Sequence, residues 1–296
     1  MVTVDPTVAV DPPVLADAGP VRRRMGRRTF SVNNVTLGVS MAWMAVILVA
    51  AISPGLLSGD DPTVLQPARA LQAPGEGTLL GTDHYGRSVF TLLHHGARSA
   101  MVIGHLATLF GVVVGGLLGL VAGYFGGWVD MVIGRLIDIL MCFPGVLLAL
   151  VIASALGATT TNLILAVGIA TVPGFARVMR GQVMSVRGKL FVEAARSNGF
   201  RPGRIVFRHI LPNSLAPIVV MATVSVGTAI VVAASLSYLG LGPRMDIPDW
   251  GQLLAMGQPY LSGAWWISTF PGITLTLTVI AVSLAGDWLR DRLDVD

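Results

Sequence analysis

The chain alternates between long apolar segments and shorter polar ones. Six apolar segments are candidates for membrane spans: about 35–53, 99–123, 132–156, 163–180, 214–240 and 267–286. Most of them reach the roughly 20 residues that a helix needs to cross the hydrocarbon core. The fourth segment is short and contains Pro173, which predicts a break in it. The pattern therefore predicts an all-α membrane protein with six transmembrane helices.

Composition agrees with this fold class. The chain is 53% hydrophobic and 12% charged, and its mean hydropathy is +0.73. A soluble domain has about 25% charged residues, so the chain is an integral membrane protein. A pI of 9.8 is also found in nucleic-acid-binding proteins, but the basic residues are grouped by membrane side, so no nucleic-acid partner is expected.

The placement of the cations predicts the orientation in the membrane. Arg22, Arg23, Arg24, Arg27 and Arg28 precede the first span, which the positive-inside rule places in the cytoplasm. Six crossings then return the C-terminus to the same side. Sixteen basic residues lie inside in this topology, and four (Arg69, Arg87, Arg98 and Arg244) lie outside. The first span is too long for the apolar region of a signal peptide, so it is expected to be an uncleaved anchor.

These features divide the chain into four parts. Residues 1–30 are expected to form a disordered cytoplasmic tail, because they are rich in Pro and Asp. Residues 31–98 comprise the first transmembrane helix and a long external loop. Residues 99–286 form a core of five helices with a polar insert at 188–213, and 287–296 form a charged cytoplasmic tail.

The polar insert has the pattern of a helix–turn–helix elbow. A first helix is predicted over 190–198, and Asn198-Gly199 stops it, because Gly adopts a left-handed conformation at little cost. Pro202 is suited to the first turn of a second helix, which Pro212 ends. Ala194 and Ala195 have side chains small enough for another surface to approach closely. An ordinary connecting loop without a partner is the alternative interpretation.

Two ionisable residues lie in the third span. Arg135 and Asp138 are three residues apart, on one helix face. They are expected to form an ion pair within the helix near its cytoplasmic end, with Arg135 extending to the interface. The alternative is that Asp138 belongs to a substrate path or a polar centre inside the bundle, because charges in lipid are costly and usually functional.

The external segments carry further candidate residues. Val89, Phe90, Leu92 and Leu93 are expected to form an apolar helix face lying at the membrane surface. Trp250, Trp265 and Trp266 fit an interfacial aromatic belt, and they are equally candidates for gate elements.

A histidine cluster accompanies Asp83. His84, His94, His95 and His105 fall within 22 residues of one another. Imidazole and carboxylate suit nickel or zinc, but the spacing matches no closed metal site, so no metal site is predicted.

Catalytic patterns are missing from the sequence. It contains no G-x-x-x-x-G-K-[ST] motif, so the chain is not expected to hydrolyse ATP itself. No nucleophile–base arrangement stands out. The sequence therefore predicts no catalytic residue, no cofactor in this chain and no enzyme.

Several ordered motifs resemble one family. In the insert, Glu193-Ala194-Ala195 is followed three residues later by Gly199 and then by Ile210-Leu211-Pro212. This resembles the EAA loop of bacterial ABC importer permeases, although His209 stands where the strict motif places Ile. The other matching segments are Gly81-Thr82-Asp83, Gly86-Arg87, Gly123-Tyr124-Phe125-Gly126-Gly127-Trp128-Val129-Asp130, Arg135, Asp138, Phe143-Pro144-Gly145, Tyr238-Leu239-Gly240-Leu241-Gly242, Trp250-Gly251 and Gly286-Asp287 with Leu289-Arg290-Asp291. Together they resemble the C-type subunit of dipeptide and oligopeptide ABC importers over roughly residues 30–296.

The resemblance implies a role and a set of partners. It implies a six-span permease of the bacterial inner membrane with a core like that of the maltose and methionine importers. The implied partners are a B-type permease in a heterodimer, two P-loop ATPase domains that bind ATP and Mg, an external substrate-binding protein, a peptide substrate and membrane lipid.

The resemblance also implies roles for particular residues. The implied ATPase-coupling residues are Glu193, Ala194, Ala195, Arg196, Gly199 and Arg201. Arg135 and Asp138 are candidates for the translocation path or for a polar contact inside the bundle. Asp83, Arg87 and Trp250 are candidates for the external loop or gate.

Other functions are also open on sequence grounds. The same architecture suits import of nickel, glutathione or another small solute. An ATP-independent channel or secondary transporter would need substrate groups within the spans, where charges are sparse. A membrane enzyme would need a catalytic pair near a membrane face, and Asp83 with the histidines is the only candidate.

Overall fold

Helices form most of the part of the chain that the structure describes, and no β-strand occurs in that part. The computed structural model describes residues 29–75, 77–243 and 246–293. Its helices are α1 (Thr29–Ile52), α2 (Val89–Phe125), α3 (Gly127–Met141), α4 (Gly145–Leu156), α5 (Thr160–Arg187), α6 (Leu190–Ser197), α7 (Pro202–Ile205), α8 (Leu211–Tyr238), α9 (Trp250–Gly257) and α10 (Trp266–Leu293). The five N-terminal arginines, nearly all of the predicted tail, and Arg244 lie outside the described residues.

The membrane spans agree with the apolar pattern, with one bend. Five helices (α1, α2, α5, α8 and α10) are long and apolar enough to cross a membrane. The third predicted span is the pair α3 and α4, which meet at 89° and count as a sixth span if taken together. The bend falls at Cys142–Pro144, because the residue before a proline is disfavoured in helical conformation. The prediction of an all-α protein with six spans is confirmed in this form.

The prediction of a surface helix before the second span is wrong. Val89, Leu92 and Leu93 belong to the first turns of α2 and are buried. They do not lie on the membrane surface, because the α1–α2 loop and α9 cover this end of α2. These two segments, residues 53–88 and α9, are called the cap below.

The predicted break at Pro173 is also absent. Helix α5 is 28 residues long and continues through Pro173, which is buried among its neighbours. Helices inside a membrane tolerate proline where neighbouring helices surround the position. The fourth span is therefore longer than the apolar segment 163–180.

Four glycines hold α2 against α5 at very short range. They are spaced four residues apart on one face of α2: Gly111, Gly115, Gly119 and Gly123. A Cβ atom on Gly115 would lie 2.5 Å from the carbonyl oxygen of Val172, and one on Gly123 would lie 2.9 Å from that of Arg180. No side chain larger than hydrogen fits these positions unless the helices separate. We call this line of contact the glycine seam.

The seam predicts different effects of alanine substitution at two glycines of α2, one inside the seam and one outside it. At Gly119 a Cβ atom would collide with the Ala176 carbonyl oxygen and lie 2.8 Å from Met179 Cβ, whereas at Gly116 the nearest atom is 3.9 Å away. Gly119→Ala is expected to lower the free energy of unfolding by about 1–3 kcal/mol through overpacking. Gly116→Ala is the matched control and is expected to be neutral or slightly stabilising. Thermal unfolding of the two variants in detergent measures the difference, and equal melting temperatures would contradict the seam.

Candidate functional site

The elbow, residues 188–213, begins where α5 is fastened to α2. The Arg187 guanidinium donates a hydrogen bond to the carbonyl oxygen of Tyr124 at 2.6 Å. Lys189 then adopts an extended conformation, and α6 starts at Leu190. Arg187 therefore joins the ends of two spanning helices at the point where the elbow begins.

The turn between α6 and α7 has the predicted geometry. Helix α6 ends at Ser197, and Gly199 has φ +73°, a left-handed conformation that favours glycine. The Phe200 amide donates to the Ala195 carbonyl at 3.2 Å. Pro202 is the first residue of α7, as expected. The turn is therefore fixed by backbone conformation, because a Cβ atom on Gly199 would meet no atom within 4 Å.

The inner face of the elbow packs into the bundle. Val192, Ala195, Ile205 and Ile210 are buried in one cluster together with residues of α5. Ala195 is only 5% exposed, so its side chain belongs to this inner face. Positions 192 and 195 lie three residues apart on one side of α6, so Ala194 is left on the outer side.

The second helix of the elbow does not end at Pro212. Helix α7 continues through a π-helical turn, Val206–Ile210, directly into α8. The Leu211 amide donates to the Val206 carbonyl, and Pro212 falls in the first turn of α8, where its missing N–H is tolerated. The elbow is thus continuous with a spanning helix.

The outer face of the elbow combines small, apolar and basic side chains. Glu193, Ala194 and Arg196 are exposed on α6. Large apolar side chains are exposed beside them, with Leu190 83% and Phe207 70% accessible. The elbow carries five cations (Lys189, Arg196, Arg201, Arg204 and Arg208) against the single carboxylate of Glu193. Such a surface suits a protein partner with an acidic and apolar cleft.

A second charged region joins α3 to α5. The predicted ion pair between Arg135 and Asp138 is not formed, because Asp138 instead pairs with Arg177 of α5 at 2.8 Å. Arg180 forms a bidentate pair with Asp130, in which Nη2 lies 2.6 Å from Oδ2. Arg135 is exposed near both pairs. The predicted residues Arg135 and Asp138 therefore lie in one region. Three residues that the sequence did not single out share it: Asp130, Arg177 and Arg180.

The predicted external candidates lie in the cap, at the end of the bundle away from the elbow. Asp83 and Arg87 form a buried ion pair at 2.8 Å, with side chains 2% and 6% exposed. Asp83 also accepts hydrogen bonds from the amides of Tyr85 and Arg87. This carboxylate is fully engaged, and it organises the turn that leads into α2.

The interpretation of Trp250 and Trp266 as an interfacial belt is wrong. Both are buried, and Trp265 alone of the three is largely exposed. The Trp250 indole N–H donates to the Leu93 carbonyl at 2.9 Å, and that of Trp266 donates to the Thr82 carbonyl at 3.0 Å. The first hydrogen bond fastens α9 to the start of α2, and the second fastens α10 to the loop that precedes α2.

Asp249 begins α9 in the same cap. Its carboxylate accepts from the Gln252 amide at 3.0 Å and from the Ser237 hydroxyl at 2.8 Å. Burial raises the pKa of the Asp249 carboxyl, and these hydrogen bonds oppose that rise. Asp249 therefore ties α9 to the end of α8.

Three of the four clustered histidines contact backbone carbonyls of their own helix, α2. His94, His95 and His105 each place Nδ1 2.8–2.9 Å from the carbonyl oxygen four residues earlier. Across residues 29–75, 77–243 and 246–293, no three His, Cys, Asp or Glu side chains are close enough together to hold a metal ion.

Sequence reasoning missed Asp130, Arg177 and Arg180. Asp130 ends one of the family-like motifs, and the two arginines are cations near the end of an apolar helix. A rule that pairs every charge within a span with a charge on another span would have selected all three.

Comparisons with known proteins agree with this architecture. Residues 115–295 match the family model described as binding-protein-dependent transport system inner membrane component. A dipeptide transport system permease protein of Alkalihalophilus pseudofirmus is 43% identical over 84% of this chain and 81% of its own length. A di/tripeptide transport system permease protein of Pseudomonas aeruginosa is 36% identical over 90% of both chains. A glutathione transport system permease protein of Salmonella typhimurium is 40% identical over 90% of this chain and 88% of its own.

Solved structures share the fold at low identity. An inward-facing form of a methionine ABC transporter aligns with a TM-score of 0.57 at 20% identity, covering 68% of this chain and 96% of its own. An amino acid ABC transporter aligns with a TM-score of 0.52 at 17% identity, covering 65% of this chain and 90% of its own. By the match over 115–295 and the identity to full-length relatives, the chain belongs to the family of binding-protein-dependent transport system inner membrane components.

Proposed function

We propose that this protein is the C-type permease subunit of an ATP-driven importer, that it forms half of a translocation path for di- and oligopeptides, and that it couples to the ATPases through the elbow. The observation that carries the proposal is the construction of the elbow itself. Its outer face leaves Glu193, Ala194 and Arg196 free for a partner, while its inner face is packed into the bundle. A surface of this kind transmits a partner's movement rather than absorbing it.

Peptide is the substrate class that the relatives favour. Those described above are named as dipeptide, di/tripeptide and glutathione permeases. Glutathione is itself a tripeptide, so a free carboxylate on a short peptide-like molecule is common to these substrates. Nickel import, the alternative open on sequence grounds, gains no support from these names.

The proposed assembly contains several further chains. A B-type permease supplies the other half of the path, two P-loop ATPase domains bind ATP and Mg, and an external protein delivers the substrate. In this assembly the elbow and both termini face the cytoplasm of a bacterial inner membrane. The five cations of the elbow support that orientation, because positive charge is retained on the cytoplasmic side.

The proposed mechanism is a rigid-body switch. ATP binding closes the two ATPases and moves the elbow, whose second helix is continuous with α8 and whose first helix follows the end of α5 after two residues, beside the Arg187–Tyr124 hydrogen bond. The bundle then turns from inward-facing to outward-facing and receives substrate from the loaded binding protein, and hydrolysis resets it. Asp83, Arg87 and Trp250 act as a structural unit at the external end of the path in this mechanism.

The docking surface is tested at Ala194, which is exposed, whereas the next residue, Ala195, is buried. Ala194→Arg and Glu193→Lys are expected to remove the ATPase from the complex, because each places a bulky cation in the contact face without entering the core. The tagged permease is expressed with its neighbouring genes, and the copurified ATPase and the ATP-dependent uptake are measured. Ala68→Arg is the control for copurification, since Ala68 is an exposed alanine of the α1–α2 loop, outside both the elbow and the spanning helices. Undiminished copurification and uptake in both elbow variants would contradict the assignment.

The transmission of movement through the elbow is tested at Gly199. Gly199→Leu places a side chain at φ +73°, which costs about 1–2 kcal/mol and changes the angle between α6 and α7 rather than the packing of the bundle. We expect ATP hydrolysis to continue while uptake falls at least tenfold, with little change in melting temperature.

Gly203 provides a matched control for this substitution. It lies in the same elbow, its Cβ would also meet open space, and its φ is not in the left-handed region. Gly203→Leu is therefore expected to keep hydrolysis and uptake coupled. Equal coupling in the two variants would show that the angle at Gly199 does not transmit the movement.

A further inference from the structure

The ion pair between Arg177 and Asp138 is unusual in its exposure. The two side chains are 55% and 58% exposed, although Arg177 belongs to a candidate spanning helix and Asp138 to the first half of the bent pair α3–α4. The buried pair of the cap, by comparison, is only 2–6% exposed. The α3–α5 face therefore presents charge to its surroundings.

The place of this pair along α5 argues against lipid chains as those surroundings. Arg177 lies ten residues, about 15 Å, before the end of α5 at Arg187 and about 26 Å from its beginning at Thr160. Because the hydrocarbon core is about 30 Å thick, a helix that enters the membrane at Thr160 holds the pair just inside the boundary of the core on the elbow side. Charged side chains within a span usually face a water-filled cavity or the interior of a bundle.

The cavity beside the pair carries one excess cation. Its volume is about 240 Å³, and Asp130, Arg135, Asp138, Arg177 and Arg180 line it. The two carboxylates are engaged by Arg177 and Arg180. Within the described ranges, no carboxylate lies at ion-pair distance from Arg135, which is exposed.

The two pairs fix the position of the cavity wall. Asp130 and Asp138 lie eight residues apart, about 12 Å along α3, and each holds an arginine of α5. Between them a Cβ atom on Gly134 would meet nothing within 4 Å. The guanidinium of Arg135 therefore stands at the mouth of an open, charged recess between two attached helices.

We infer that this recess is a carboxylate-binding subsite in the cytoplasmic half of the translocation path, where Arg135 receives the C-terminal carboxylate of the peptide. The inference rests on the proposed function. A guanidinium binds a carboxylate through two parallel hydrogen bonds. The volume suits one end of a peptide, because pockets that enclose a whole drug-sized ligand measure roughly 300–1,000 Å³. Arg177 and Arg180, neutralised by their partners, keep the site from holding an anion so tightly that it cannot leave.

The first test compares two substrates in the complete transporter. Uptake of dialanine and of its C-terminal amide is measured in proteoliposomes with the binding protein present. Arg135→Gln is expected to reduce the ratio of free-acid to amide uptake about tenfold, the loss expected for one charge-assisted hydrogen bond. The preference of the binding protein is the same for both transporters, so it cancels when their ratios are compared.

Two further variants serve as a conservative substitution and as a control. Arg135→Lys is expected to retain part of the ratio, because it keeps the charge and loses the bidentate geometry. Arg292→Gln, in the C-terminal part of α10, removes an exposed cation and is expected to leave the ratio unchanged. An unchanged ratio in Arg135→Gln overturns the subsite and leaves the importer intact, whereas a wild-type complex that imports no dipeptide or oligopeptide with ATP contradicts the proposed function itself.

The second test needs no substitution near the charges. Cys142 is the sole cysteine of the chain, is exposed, and donates its S–H to the Asp138 carbonyl at 3.2 Å. In the assembled transporter a permanently charged methanethiosulfonate is expected to label Cys142, and mass spectrometry identifies the modified peptide. Reaction with a lipid-soluble maleimide but not with the charged reagent would place this face in lipid and overturn the inference.

Discussion

The close approach of α2 and α5 along the glycine seam positions the rest of the molecule. Helices in a membrane gain nothing from burying apolar surface against each other rather than against lipid, so their association depends on close packing. Four glycines on one face of α2 allow that contact over three helical turns. The last of them lies against the carbonyl of Arg180, and the Arg187–Tyr124 hydrogen bond follows within a few residues. The seam thus fixes both the charged α3–α5 face and the start of the elbow.

The local parts of this structure could be predicted because local chemistry determines them. Asn198-Gly199 and Pro202 specify where α6 ends and α7 begins, and both boundaries fall where the residues indicated. The apolar segments likewise located the spans, because their length is set by membrane thickness. In each case the information lies within a few neighbouring residues or one helix length.

The parts that sequence reasoning missed depend on distant partners. Asp138 was expected to pair with Arg135 three residues away, but Arg177, 39 residues away, lies opposite it. Ala195 is buried because Ile205 and Ile210 fold back over it. Val89 and Leu92 are buried because the cap covers them, and Pro173 continues its helix because packed neighbours surround it. Helical periodicity identifies an apolar face but not the segment that covers it.

The two charged regions of the bundle differ in how easily they rearrange. Removing one partner of a buried ion pair such as Asp83–Arg87 costs about 3–5 kcal/mol, because the other charge remains desolvated. An exposed pair such as Asp138–Arg177 contributes roughly 0–1 kcal/mol, since water replaces the lost contact. The cap, which the Trp250 and Trp266 hydrogen bonds also hold together, is therefore costly to take apart, whereas the Asp138–Arg177 contact opens at little cost while the less exposed Asp130–Arg180 pair keeps α3 against α5. A transporter that binds an anionic group within its path requires this second property, because the arginines must release the group as readily as they accept it.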